Sequence, residues 1–389
     1  MAHGSEADRL CPAQAGPGFD VRRAGKARPM VARPSRHRLL TLPSAVLTAF
    51  TLTLGVAAPA GAAPAAPPAD VAAVQAVAPR PAAAAGWLAR QLVDGERFEA
   101  VFGGVAYPDA GLTLDAVLAF AAAGVADDYG ADALDWVTRA DIRDGYLGDG
   151  GTEAYVGATA KLALTVAVRG DDPTDVGGVD LVSRLQSLQA TDGRFSDRSA
   201  YGDYSNTFSQ SFAILALTRT PQGAPGTAAQ WLAGIRCADG GYPVVAAQAT
   251  CVSDVDATAL AVQALRAAGR SADATAGLHW LLSVQRTDGS FPNADGLSNA
   301  NSTGLAAQAL RDGGRPLAWL RARIHLAGLQ VGCSGTPTDR GAIDFDGGSF
   351  DPATAVRATT QAVLGLTGTG YAHLSTTTAT PGAPSLPCL

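Results

Sequence analysis

The chain has 389 residues, 47% of them hydrophobic and 16% charged, with a formal net charge of −6 and a pI near 5.3. That length supports one large core or two modest ones. The acidic balance lacks the basic footprint of a nucleic-acid binder, and no basic amphipathic stretch marks a membrane-surface helix.

In chain order, the basic segment RPSRHR (33–38) precedes the apolar run LLTLPSAVLTAFTLTLGVAA (39–58), and small residues follow in PAGAAPAAPPA. This is the layout of a secretory signal peptide with cleavage near Ala62–Ala63, and it predicts a secreted or cell-surface protein. A retained N-terminal membrane anchor is the alternative. Met30 is an alternative start, because the stretch before it is long for an n-region. The expected organisation is an N-terminal extension and signal over 1–63, an Ala/Pro-rich linker over 64–81, one domain over 82–372 and a tail over 373–389. Cys11 precedes the signal, leaving Cys237, Cys251, Cys333 and Cys388 with three pairings open. Cys237–Cys251, closing one loop, and Cys333–Cys388, tying down the tail, are the favoured pairs. Metal binding by these cysteines has no CxxC-type spacing behind it, and no cofactor is expected.

Asp-Gly punctuation recurs at Asp144, Asp192, Asp239, Asp288 and Asp346, at intervals of 48, 47, 49 and 58 residues. A near-constant period of this size marks repeated supersecondary units. An amphipathic segment precedes each Asp-Gly, for example VSRLQSLQ (182–189) and LHWLLSVQ (278–285). A more uniformly apolar segment follows, such as ATALAVQALRAAG (257–269). Both have helical periodicity, and the second reads as a helix buried on both faces. Six second helices are expected near 112–124, 152–169, 206–219, 255–268, 300–312 and 354–367. Six pairs closing on themselves give an all-α (α/α)6 toroid with inner and outer rings. An open solenoid would need distinct polar end caps.

The units LxSLQxxDGxF and LLSVQxxDGSF resemble the Gln–Asp-Gly–aromatic repeat of the prenyltransferase/squalene-cyclase superfamily. That superfamily includes class II terpenoid cyclases, protein prenyltransferase β-subunits and transcobalamin-type carriers. The resemblance covers roughly residues 82–372. It implies the toroid and gives these repeat residues structural roles. Gln189 with Asp192, and Gln285 with Asp288, would bond across the turn, Gly193 and Gly289 would allow it, and Phe195 and Phe291 would plug it. The same fold hosts enzymes and carriers, so the motif leaves function open.

The segment CVSDVDATALAVQAL (251–265) places two aspartates at the start of an inner helix. Aligned on helix endings, Asp254 matches Ser205 and Asn299, Asp256 matches Thr207 and Asn301, and Thr258 matches Ser209 and Thr303. In the sixth repeat Thr354 or Arg357 falls near these positions. Ser, Thr, Asn and Asp are helix N-caps, and that role suits Asp254. The rest, one turn further in, would form a polar arc at one mouth of the toroid. This predicts a ligand-binding set of Ser205, Thr207, Ser209, Asp254, Asp256, Thr258, Asn299, Asn301 and Thr303. A small molecule, such as a corrinoid or an isoprenoid, or a partner protein would be held there.

DVDATA also resembles the DxDD(T)A acid motif of class II cyclases. By that resemblance Asp256 would be the catalytic acid, Asp254 its neighbour, and Ala257 stands where a third acid is expected. Those cyclases are two-domain proteins with aromatic-lined cavities. A carbohydrate-active barrel drawing on Asp115, Glu153, Asp254 and Asp256 is a further alternative. A prenyltransferase zinc site is not expected, because His279, His325 and His373 fall on outer helices and the tail.

Overall fold

The structure is a computed structural model that describes residues 81–388. The expected leader and the linker up to residue 80 lie outside the described residues.

The described residues open with α1 (Pro81–Gln91), followed by a hairpin of β1 (Glu99–Phe102) and β2 (Val105–Pro108). Next come α2 (Ala110–Ala123), α3 (Asp127–Thr138), α4 (Ala140–Leu147) and α5 (Val156–Arg169). Then follow α6 (Leu181–Ser187), α7 (Thr207–Leu217), α8 (Gly226–Gly234) and α9 (Val255–Ala267). The last helices are α10 (Ser271–Val284), α11 (Ala300–Asp312), α12 (Pro316–Gly328) and α13 (Pro352–Thr367), with a single 3-10 turn at Tyr371–His373.

The Ala-, Leu- and Val-rich helices α2, α5, α7, α9, α11 and α13 pack in that order, and α13 returns to α2. They form a closed inner ring. The remaining helices pack outside it, with α8 against α7 and α9 and with α10 against α9 and α11. This is the (α/α)6 toroid. Outer helices carry all five tryptophans, and the indoles of Trp87, Trp280 and Trp319 bond to other segments. Trp319 Nε1, for example, donates to Gly365 O at 2.9 Å. No helix among the described residues is long and apolar enough to cross a membrane.

The Asp-Gly turns do what the repeat implies, with one change of partner. Gln189 Nε2 donates to Gly193 O at 3.3 Å and Gln285 Nε2 to Gly289 O at 3.2 Å. Asp192 and Asp288 instead accept the N–H groups of Arg194 and Ser290. Gly193 and Gly289 have φ of +98° and +89°, and a Cβ there would lie 2.2 and 2.3 Å from the next outer helix's backbone. No other residue fits both demands. Phe195 and Phe291 are fully buried.

One expectation is corrected and one element is new. Asp144-Gly145 is not a turn but the interior of α4, and the chain reverses at Gly148 and Gly150, with Asp149 accepting from Gly151 N and Glu153 N. The β-hairpin was not expected at all. Both disulfides are present as paired, Cys237–Cys251 and Cys333–Cys388.

Candidate functional site

One interaction repeats around the ring and fixes which way each inner helix faces. Thr113 Oγ1 accepts the backbone N–H of Phe98, Thr258 that of Tyr242, Thr303 that of Phe291 and Thr359 that of Ile343, all at 2.8–3.0 Å. In α7 a glutamine takes this place, with Gln210 Oε1 accepting from Phe195 N at 2.9 Å. Each acceptor therefore points outward, to the buried residue that follows an outer-helix turn. Thr258 and Thr303 are not lumenal.

The rest of the expected arc divides in the same way. Asp254 and Asn299 are N-caps, accepting from Ala257 N and Ser302 N. Thr207 donates to Pro243 O, Ser209 closes a capping box with Asn206, and Ser205 Oγ accepts from Arg194. With Gln210 rather than Ser209 in register, the α7 counterpart of Asp256 is Phe208, not Thr207. Arg357 is the α13 counterpart. Of the nine residues, Asp256 and Asn301 are the pair directed inward.

Their direction follows from a second pair deeper in the lumen. Gln263 Nε2 donates to Gln308 Oε1 at 3.0 Å, joining α9 to α11. Gln263 Oε1 accepts from Tyr371 N and Gln308 Nε2 donates to Thr369 O, so both glutamines face the segment that closes the lumen floor. Asp256 and Asn301 stand seven residues earlier on the same two helices. Seven residues is two turns, about 11 Å along the axis on the same face. Asp256 and Asn301 therefore face each other across the α9–α11 seam above the glutamine pair, with the Ser302 hydroxyl near enough to pull the Asp256 carboxyl down.

Between these levels lie Leu260, Leu305, Phe212 and a buried ion pair, Lys161 Nζ–Asp115 Oδ1 at 2.8 Å. Lys161 also stands 5.5 Å from the centre of the Phe212 ring, and Phe212 meets Tyr371 edge-on at 5.6 Å. Gln361, on α13, reaches the same level, because its backbone carbonyl lies against Gly304 of α11. Below, Arg219 Nη2 donates to the carbonyls of Tyr371, Ala372 and Leu374, so the tail is clamped across the floor.

Three side-chain oxygens in this region are buried without a hydrogen-bond partner: Asp256 Oδ1, Asn301 Oδ1 and Gln361 Oε1. Burial, with the Asp254 carboxylate adding repulsion, pushes the Asp256 carboxyl up to about 7, against a weaker pull from Ser302. Burial raises Asp254 also, opposed by its backbone bonds from Ala257 and Asp256. At neutral pH Asp256 thus holds its proton for much of the time.

Two surface cavities, of about 310 and 400 Å³, lie beside the Cys237–Cys251 loop and below the floor, and neither includes Asp256 or Asn301. Exposed apolar side chains, Val101, Phe102, Tyr201, Tyr204 and Leu297, stand among charged residues on the segments that lead into inner-helix N-termini. The carboxylate pair expected of a glycosidase is not assembled, since Asp115 is held by Lys161 and Glu153 accepts from Tyr155 and Ala200 in an exposed loop. Among the described residues no cluster of His, Cys, Asp and Glu could hold a metal ion. Gln361, Lys161, Gln263, Gln308 and Tyr371 were missed in the sequence. The first four carried a signal, a polar side chain within an apolar helix.

No family model matches the chain, and no curated protein matches it in sequence. Solved structures do match in fold. A type II terpene cyclase, MstE from Scytonema, is 15% identical with a TM-score of 0.54, covering 76% of this chain and 98% of its own. A protein from Actinoplanes is 16% identical with a TM-score of 0.52, covering 74% and 98%. The unsaturated glucuronyl hydrolase of Bacillus sp. GL1 is 12% identical with a TM-score of 0.52, covering 73% and 94%. The chain thus has the terpenoid-cyclase-like α/α toroid fold. At these identities the likeness is one of fold.

Proposed function

We propose that the protein binds a small molecule in the upper lumen, between the Asp256–Asn301 seam and Gln361. The observation that carries this reading is the three buried oxygens without partners. A buried acceptor left unsatisfied costs about 1–3 kcal/mol, and three on adjacent helices are an uncommon burden on one site. A ligand carrying hydrogen-bond donors removes that cost. Its body would rest on Phe208, Leu260 and Leu305, and the tail's Tyr371 would close the floor beneath it. Ligand access is from the mouth, where the exposed Val101, Phe102, Tyr201, Tyr204 and Leu297 would also serve a partner protein. Two disulfides and the expected leader support a secreted setting.

Native mass spectrometry of the purified protein tests this. A discrete adduct is expected on the wild type and is lost in the Asn301→Ala/Gln361→Leu variant. Equal masses for both, with only ordered water bridging the three oxygens in a high-resolution structure, would overturn the proposal.

A second reading, a type II cyclase, is favoured by Asp256, a buried carboxylic acid on α9 beside α7, the helix that carries Phe208 and Phe212. The two-domain objection is weak, because MstE is covered over 98% of its chain by this one toroid. Against it, a carboxyl pushed upward in pKa holds its proton and is a poor donor to an alkene. Incubation with geranylgeranyl dihydroxybenzoate, the substrate bound to an MstE variant, separates the readings. A cyclised product that disappears in Asp256→Asn would establish catalysis.

A further inference from the structure

The charges around the upper lumen are unevenly matched. Lys161 is held by Asp115 at 2.8 Å, and Arg357 at the mouth is held by Asp109 at 3.3 Å. Among the described residues, no cation lies within ion-pair distance of Asp256 or its neighbour Asp254. From α7 the facing side chain is Phe208, and from α11 it is Asn301 with Ser302. The outer helix α10 brings Asp273 and His279, on its first turn and its exposed face, and the tail brings His373 at the opposite end of the barrel. When Asp256 is ionised the seam therefore lacks a positive charge to match it, and it lacks donors for Asn301 Oδ1 and Gln361 Oε1.

Resting on the ligand-binding reading above, we infer that the lumen ligand is an organic cation, an amine whose N–H groups reach Asp256, Asn301 and Gln361. An ammonium supplies both missing quantities at once: one positive charge for the carboxylate and several donors for the amide oxygens. The face of Phe208 suits the same group, because an aromatic ring attracts a cation that has lost its water. A neutral polyol would satisfy the oxygens but leave the charge unmatched.

Pairing with an ammonium requires Asp256 to give up its proton. Burial of the unliganded carboxyl, which pushes it up to about 7, then makes binding pH-dependent. Below that value each bound cation displaces one proton, and affinity falls by up to about tenfold per pH unit.

The test uses the whole protein and three probes of one shape: n-hexylamine, 1-hexanol and hexanoate, titrated calorimetrically at pH 5.5 and 7.5. The amine is expected to bind at least about tenfold more tightly than the alcohol at pH 7.5, since an ion-paired hydrogen bond outweighs a neutral one. Its affinity should drop about tenfold or more at pH 5.5, with proton release seen in buffers of different ionisation enthalpy. Asp256→Asn, close in shape, should erase both the preference and the pH dependence. Equal binding of amine and alcohol, unchanged amine affinity in Asp256→Asn, or no binding of the amine would each overturn the inference. If Asn301→Ala still weakens whichever probe binds, the lumen remains a ligand site of another chemistry. If it weakens none, the ligand-binding reading fails as well.

Discussion

Asp256 and Asn301 stand two helical turns above Gln263 and Gln308 on the same two helices, yet only the deeper pair is hydrogen-bonded to completion. The glutamines have the tail to bond with, whereas Asp256 Oδ1 and Asn301 Oδ1 have no hydrogen-bond partner among the described residues. A toroid closed at one end by its own C-terminus and left chemically open at the other is a cup, and the open chemistry is acidic.

That acid sets the first prediction. The folded-state pKa of Asp256, about 7, is raised above the unfolded carboxylate value of 3.8. The folded protein then binds more protons than the unfolded chain between these values, so the contribution is present at low pH and lost as pH rises from about 4 to 7. Asp256→Asn removes the loss. The variant should be more stable than wild type at pH 8 by about 2–4 kcal/mol, with the difference vanishing near pH 4. Urea unfolding at each pH measures it, and identical pH profiles for the two proteins would contradict the burial of an ionisable Asp256.

Thr258 and Asn301 separate structure from binding. Thr258→Val deprives the fully buried Tyr242 of the acceptor for its N–H, a loss of about 1–3 kcal/mol in stability. Ligand affinity should not move, because Thr258 faces outward. Asn301→Ala should do the reverse, weakening the ligand with little or no loss of stability, since the Oδ1 it removes is unsatisfied. Unfolding and binding measured on both variants give a crossed pattern, and a Thr258→Val protein that loses ligand while keeping its stability would reverse the assignment.

How far the sequence spoke depended on the length of the signal. Twelve helical segments sharing one period announce a toroid, because Ala-rich helices with no polar face have nowhere to sit but an inner ring. Within a helix the resolution is one residue, and that is where reading by alignment slipped. In α7 Gln210 replaces the threonine as the outward acceptor, so Ser209 and Thr207 looked lumenal by hydroxyl chemistry alone. EAVFGGVAYP (99–108) does carry a hairpin signal, two β-rich runs about a Gly-Gly, hidden by the helical rhythm around it. The floor was not legible: TGTGYAHL (367–374) has no periodicity, and only the fold shows that Gln263 and Gln308 await it.

The tail's hold on the floor depends on a covalent tie. Cys333–Cys388 closes a separation of 55 residues, against 14 for Cys237–Cys251. Loop-closure entropy assigns about 4 kcal/mol to the longer loop and about 3 to the shorter. Cys388→Ala should therefore lower stability more than Cys251→Ala. It should also free the backbone bonds that join residues 380 and 382 to 124, 126 and 127 at the α2–α3 junction. Hydrogen exchange at Ala126 and Asp127 reads that release directly. Protection unchanged in Cys388→Ala would mean that the Arg219 clamp alone holds the tail.

Gln361 reaches its level only because α11 and α13 touch backbone to backbone. A Cβ on Gly304 would lie 2.3 Å from Gln361 O, and one on Gly365 would lie 2.7 Å from Gly304 Cα. Neither neighbour is a flexible side-chain end, so Gly304→Ala must push the helices apart, at about 1–3 kcal/mol or more. The same step moves Gln361 away from Asn301, and ligand affinity should fall along with stability. Gly328, at the end of α12, is the control: nothing lies within 4 Å of its would-be Cβ. Gly328→Ala should stabilise by about 0.5–1 kcal/mol through helix propensity and leave binding alone. Thermal unfolding with and without ligand distinguishes the two glycines. A Gly304→Ala protein as stable as wild type would show that the inner ring is not closed at this seam.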